Sequence, residues 1–286
     1  NTIALKRRIG SVKNTRQITK AMELVAASKM RRAQEHAAKT RDYFNMANVI
    51  INRLRQITDV NKHPLYRQRP INTRLHVLIA SDRGLAGAYN SNLFKQLTTE
   101  LKEDRDAGIN SHVLTIGRQG SKFVSRLEGV EIIAAYDHFP QRPTANDISP
   151  ILQLLTKHFT DGLADTVDVI FTDYKSSISQ IVTSHRLLPV AYTKVKIDSD
   201  LDHAVFEPSP EVVLSTITER LVEAQLNQVF SEAQASEQSM RMVAMKNATD
   251  NASDLIDDLT LAFNTARQAA ITQELAEITG GAEAIK

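Results

Sequence analysis

Two long stretches of this chain contain neither glycine nor proline, and they limit its fold more than any other feature. One runs from Ser11 to His63 and the other from Glu211 to Thr279, while all eight prolines lie between Pro64 and Pro210. Inside a helix proline costs roughly 3 kcal/mol and glycine about 1 kcal/mol, so omitting both over such lengths predicts continuous helix. The apolar residues agree. In the first arm Ile18, Met22 and Val25, then Phe44, Ala47, Ile51 and Leu54, recur at three and four. In the second, Leu214, Ile217 and Leu221, then Ala248, Ala252, Leu255 and Leu259, do the same, marking an apolar stripe on each arm. At the helical rise the arms would extend about 80 and about 100 Å, far beyond the few turns usual in a globular domain. Helices of that length need a partner along them.

Charge names the partner. The chain as a whole carries only +2, but residues 1–41 hold eleven Lys or Arg against two Glu, a net of +9. Residues 211–286 hold twelve acids against five bases, a net of −7. Opposite fields draw the two ends together. The arms, 1–60 and 208–286, are therefore expected to pair antiparallel as a two-stranded coiled coil, with a middle domain at 72–207 closing the connection. Gly280 and Gly281 are expected to end the second helix.

The middle has a different rhythm. RLHVLIA (74–80), HVLTIG (112–117), VEIIAAY (130–136) and VDVIFTDY (167–174) are compact and rich in β-branched residues. Between them, segments near 90–106, 118–127 and 146–162 are helix-like, which gives the alternation of an α/β sheet. The run ISQIVTSHRLLPV (178–190) alternates less cleanly and adds an edge or antiparallel strand.

Searches for chemistry return little. There is no cysteine, hence no disulfide, thiolate nucleophile or cysteine metal site, a usage that suits a reducing compartment. The eight histidines lack metal-ligand spacing, and neither H-E-x-x-H nor G-x-S-x-G occurs. Two turns, SDRGLAGAYN after the first strand and IGRQGSK after the second, place glycines where phosphate could rest on helix amides. Neither fits a phosphate-binding signature, so both are expected to be structural turns. The cluster Asp250, Asp254, Asp257 and Asp258 reads as a solvated face opposite the basic arm. That arm lacks the interleaved aromatics of a nucleic-acid surface. No window approaches a membrane span, and the opening NTIALKRRIGSVKN lacks the pattern of a secretory signal. The expectation is a chain with no catalytic residues, no cofactor, no metal and no nucleic-acid partner.

Three segments carry a resemblance. SVKNTRQITKAMELVAASKMRRAQ (11–34), ASDRGLAGAYN (80–90) and the run from Met240 to Ala282 resemble the signature regions of the ATP synthase gamma-subunit family, in its bacterial type. The likeness covers both arms and the first strand-turn-helix, and is one of layout over 100–210. Ala86 stands where many members of that family carry cysteine, which removes any thiol role for the turn, and the cysteine-bearing insertion of chloroplast relatives is missing. The resemblance implies a Rossmann-like middle domain and a central rotor of the F1 sector, coupling ion flow through the membrane sector to ATP synthesis or hydrolysis. The implied partners are an alpha3beta3 hexamer around the coiled coil and the epsilon subunit and membrane c-ring below, with one copy per complex. The implied location is peripheral, at the cytoplasmic face of a bacterial inner or plasma membrane, with the matrix side of the mitochondrial inner membrane as the alternative. It points to Met22 and Arg241 low on the coiled coil, and to Arg267, Gln268, Thr272 and Glu274 toward its tip, as contacts to the hexamer.

One local feature fits that implication. From Leu259 to Gln273 only Arg267 is charged. A tip turning inside a protein sleeve would need a partner for each desolvated charge at every angle, whereas Ala269, Ala270 and Thr272 pass many surroundings at similar cost. Two other readings stay open on residues alone: a free-standing nucleotide-binding protein using SDRGLAG, and an RNA-binding coiled coil, whose affinity would fall steeply with salt.

Overall fold

Both unpunctuated arms are helices in the computed structural model, which describes residues 2–140, 143–191 and 206–284. Helix α1 spans Thr2–Ile57 and helix α5 spans Pro210–Ala284. The second passes through Gly280 and Gly281 instead of ending there: glycine weakens a helix by about 1 kcal/mol but does not forbid it. After α1, two short 3-10 turns, Val60–Lys62 and Pro64–Tyr66, lead to the sheet. Their starts are fixed locally, Asp59 accepting from the Asn61 amide at 3.1 Å and His63 Nδ1 from the Leu65 amide at 3.3 Å.

The middle alternates as its sequence predicts. Strand β1 (Thr73–Ile79) is followed by α2 (Tyr89–Asp106), β2 (Asn110–Ile116), α3 (Arg118–Val124), β3 (Glu131–Tyr136), α4 (Ala145–Thr160), β4 (Thr166–Tyr174) and β5 (Gln180–Leu188). The sheet order is β3-β2-β1-β4-β5. The first four strands are parallel, and β5 runs antiparallel to β4 as the edge that 178–190 suggested. Helix α3 stops short of the expected residue 127. Helix α4 begins where the Asp147 carboxylate accepts from both the amide and the hydroxyl of Thr144 at 2.7 Å, a local cap at its first turn.

Contacts divide the chain into two units, Asn1–Ala27 with Arg241–Lys286, and Ser28–Met240. In the larger unit the main core joins the sheet (Leu75, Val77, Val167, Val169) to Ile51 and Leu54 of α1 and Leu221, Leu226 and Phe230 of α5. Each such side chain contributes about 1.5–3 kcal/mol when fully buried. Here α1 and α5 run antiparallel. His36 meets Ser231 at 2.9 Å, and just past α1 Thr58 meets Glu211 at 3.3 Å, so numbers rise along one helix as they fall along the other.

In the smaller unit the hydroxyls of Thr19 and Thr249 meet at 2.8 Å. Among the described residues of this unit, Thr19 and Ala26 of α1 and Arg241, Met245, Ala252, Ile256 and Leu259 of α5 are buried. Part of the sequence stripe is therefore displaced: Ile18 is 61% exposed, Val25 53% and Leu255 39%. One residue turns a helix by about 100°, so the side chains next to Ile18 and Val25, the smaller Thr19 and Ala26, lie inside. Small side chains let two backbones approach closely, a preference that an apolar count cannot see. Phe44 of the same expected stripe lies outside the described side chains. The ion pairs shown on the two long helices, Lys20–Glu23 and Arg220–Glu223, are each within one helix.

Candidate functional site

An open parallel sheet holds ligands beyond the carboxyl ends of its strands, where the strand order reverses. Here that crevice lies between β1 and β4. Its first lip, the SDRGLAG turn, is closed on its own groups. The Asn90 side chain accepts from the Ser81 amide at 3.1 Å and donates to Ser81 Oγ at 2.7 Å, and the Gln119 amide donates to Ser81 O at 3.0 Å. Asp82 Oδ1 accepts from the Arg118 amide at 3.1 Å, so a carboxylate of the chain occupies the start of α3. Leu85 and Gly87 take positive φ of 62° and 58° to complete the turn. At the second turn Gly117 sits at φ 95°, with its amide on Tyr136 O at 2.9 Å. A Cβ there would lie 2.1 Å from Ala80 O. Gly117 therefore serves a close approach of the two backbones.

Helix α5 is bonded to both lips. Tyr89 Oη, at the head of α2, donates to Ala233 O at 3.3 Å. On the other lip, Ser239 Oγ donates to Ser177 O at 2.9 Å and accepts from Gln180 Nε2 at 3.1 Å. Met240 packs against the cluster of Leu78, Ala86 and Tyr89. Ala233, Ser236 and Ser239 are buried. The place where a nucleotide would lie in such a sheet holds the chain's own helix.

A charged cluster lies under α2. His76 of β1 is wholly buried, with Nε2 2.7 Å from Asp104 Oδ2 and Nδ1 3.3 Å from Glu100 Oε2, the latter an ion contact off hydrogen-bond alignment. Arg74 reaches Asp104 at 3.3 Å and Asp168 at 3.5 Å, and Arg186 closes on Asp168 with two bonds of 2.8 and 3.0 Å. Ser111 donates to Asp104, and Ser184 and Gln96 donate to Glu100. Burial alone would lower the His76 pKa, but its bonds and charge interactions with Asp104 and Glu100 outweigh burial and raise it. Burial pushes both acids up; His76 and their other partners more than reverse this and hold Glu100 and Asp104 below their usual values. These contacts make the cluster a brace joining α2 to β1, β4 and β5. On β5, His185 is lowered by burial, against the opposing charge of Asp168.

The residues singled out from sequence fall into two groups. Met22 is part-buried on α1 and Arg241 is buried on α5. Arg267, Gln268, Thr272 and Glu274 are all exposed, and the Thr272 hydroxyl bonds only back to Gln268 O, at 3.0 Å. Arg267 lies 26 residues beyond Arg241 along α5, about 40 Å by helical rise. Every residue from Arg267 to Thr279 is exposed, including Ile271, Leu275 and Ile278. Tyr89, Gln180 and Ser239 were not singled out. Their signal is faint: a serine-rich stretch, ASEQSM, inside an otherwise long helix. Among the described residues no group of acids and histidines is arranged to hold a metal, and no helix is long and apolar enough to cross a membrane.

A family model described as ATP synthase matches residues 1–285. The chain belongs to the F1 gamma-subunit family of ATP synthase. It is thus a central-stalk subunit, one part of an enzyme complex. Among solved structures it is similar to a chain of the Tetrahymena thermophila mitochondrial ATP synthase central stalk and c-ring. The two share 25% identity over 81% of this chain and 99% of that one, with a TM-score of 0.62. Two chains from the Euglena gracilis mitochondrial ATP synthase share the fold. One, from the OSCP/F1/c-ring assembly, has 16% identity over 99% of this chain and 94% of its own, at a TM-score of 0.65. The other, from the rotor, has 14% identity over 94% and 98%, at 0.60.

Proposed function

We propose that the chain is the non-catalytic rotor of an F-type proton-translocating ATP synthase. Its functional segments are 1–60 and 208–286, which together enter the cavity of an alpha3beta3 hexamer, and 72–207, which meets the epsilon subunit and the membrane c-ring. One copy serves one complex, peripheral to the membrane on the cytoplasmic face of a bacterial cell. The matrix side of the mitochondrial inner membrane is the alternative, which the mitochondrial source of the similar structures favours. The observation that carries this reading is the end of α5: from Leu259 to Gln273 only Arg267 is charged, and every residue from Arg267 to Thr279 is exposed, Ile271, Leu275 and Ile278 among them. A single gamma chain cannot present one face to three equivalent beta subunits at once. Each angle therefore favours a different set of open and closed sites, and by linkage nucleotide binding pushes back on the angle.

The test is reconstitution with purified alpha and beta subunits. Addition of the chain is expected to yield a stable complex and raise ATPase activity, while calorimetric titration of the chain alone with ATP shows no binding. Saturable ATP binding by the isolated chain, without assembly, would favour a nucleotide-binding protein instead; the helix-filled crevice argues against that outcome.

Two variants probe the contacts. Met22→Lys places a charge on the part-buried face of α1, where it attracts acids of the surrounding ring at one angle and not at others. The assembled complex is expected to keep its ATPase but pump fewer protons per ATP, and wild-type pumping would return Met22 to ordinary helix packing. At the tip, Ala270→Asp puts an unpaired anion into the sleeve, where desolvation costs several kcal/mol, roughly a hundredfold or more in assembly or rate. Truncation before Gly280 removes only the last helical turn and is expected to be milder. A wild-type Ala270→Asp complex beside an inactive truncation would replace the bearing with a specific contact at the C-terminus.

A further inference from the structure

The rotor reading requires force to pass between the α/β domain and α5, and the crevice shows where the two are joined by polar bonds. A helix lying on an apolar sheet end can slip, because apolar packing is non-directional and changes little with a small rotation. Hydrogen bonds to fixed backbone carbonyls do not tolerate that rotation. At the crevice α5 is held from both lips. Tyr89 Oη bonds to Ala233 O from the α2 side, and Ser239 Oγ bonds to Ser177 O from the turn between β4 and β5, with Gln180 Nε2 donating back to Ser239. Ala233 and Ser239 are six residues apart, 1.7 helical turns, so the two points of attachment are axially separate and lie on different faces of the helix.

We infer that Tyr89 and Ser239, with Gln180 behind Ser239, are positioning residues that fix the rotational setting of α5 in the α/β domain. They are the grip by which the rotor's domain turns its helix. The inference rests on the rotor reading and adds to it a specific joint. It also accounts for the buried hydroxyl of Ser239, where an aliphatic residue would serve packing alone.

Tyr89→Phe keeps the ring and Ser239→Ala keeps the volume, so each removes bonds with little change in packing. In complexes reconstituted into vesicles, the double variant is expected to hydrolyse ATP at close to the wild-type rate. Loss of these three bonds predicts roughly tenfold or more faster hydrogen exchange in residues 233–239 of α5. Protons pumped per ATP should fall at least twofold as the opposing gradient grows, because load is what makes a loosened joint slip. A merely structural role would move the exchange rate but leave that ratio unchanged at every load. A double variant that pumps at the wild-type ratio under load overturns the grip. If the double variant does not assemble, the single variants decide: a lowered ratio in either supports the grip, and wild-type ratios in both overturn it. Failure of the unmutated chain to activate alpha and beta subunits would instead sink the rotor reading itself.

Discussion

Gly117→Ala is expected to remove a large part of the stability of the α/β domain. The new Cβ would stand 2.1 Å from Ala80 O and 2.7 Å from Ala80 C, backbone atoms that cannot swing aside as a side-chain end does. The residue also sits at φ 95°, which alanine adopts only with strain. Moving the strand end would break the Ala80 amide bond to Ile116 O and the Gly117 amide bond to Tyr136 O, which tie β1, β2 and β3 together. The combined cost is about 4 kcal/mol or more, against a stability of roughly 5–15 kcal/mol for a typical domain. Gly129→Ala is the matched control. Gly129 also has positive φ, 75°, but no atom lies within 4 Å of its added Cβ, so it should lose only about 1–2 kcal/mol. Urea unfolding followed by circular dichroism compares them directly, and equal midpoints for the two variants would refute the steric account.

Removing His76 is expected to have the second large effect. His76→Leu fits the buried space but leaves Asp104 and Glu100 facing an apolar side chain, and breaking a buried pair from one side typically costs about 3–5 kcal/mol. The pH dependence distinguishes this from a packing defect. His76 is raised above its ordinary 6.5, so its contribution is complete below that pH and fades as pH rises through the folded-state value. Glu100 and Asp104 are lowered from 4.5 and 3.8, so theirs is present above those values and lost as pH falls through the folded-state ones. The brace is therefore strongest between about 4.5 and 6.5. The difference in melting temperature between wild type and His76→Leu should be widest in that window and narrow on the alkaline side. A difference independent of pH would mean that His76 is held neutral and acts by shape.

Helix and sheet were legible because both are written in local patterns. Absence of glycine and proline marks the bodies of α1 and α5, and clusters of β-branched residues mark β1 to β4, each strand within one or two residues of its observed position. The seam was less legible. An apolar count selects Ile18 and Val25, whereas packing selects the neighbouring Thr19 and Ala26 for being small, and size against an unseen partner is not a local property. The brace was invisible for a related reason. His76, Glu100, Asp104, Asp168 and Arg186 span more than a hundred residues and lack recognisable spacing until the sheet order brings them together. The crevice was less legible still: its glycine turns stand out in the sequence, but nothing local showed that α5 would lie across them. The loss of charge from Leu259 to Gln273 needs no fold to be seen, and the structure adds that every residue from Arg267 to Thr279 is exposed.

Rotation is the central claim and can be watched. The chain has no cysteine, so Lys102→Cys, at an exposed position on α2, gives a unique attachment point for a bead while the alpha3beta3 ring is fixed to glass. With ATP and magnesium the bead is expected to turn continuously in one direction, pausing at three equally spaced angles in each turn. A bead that only fluctuates about one angle, while the same complexes hydrolyse ATP at full rate, would contradict the account.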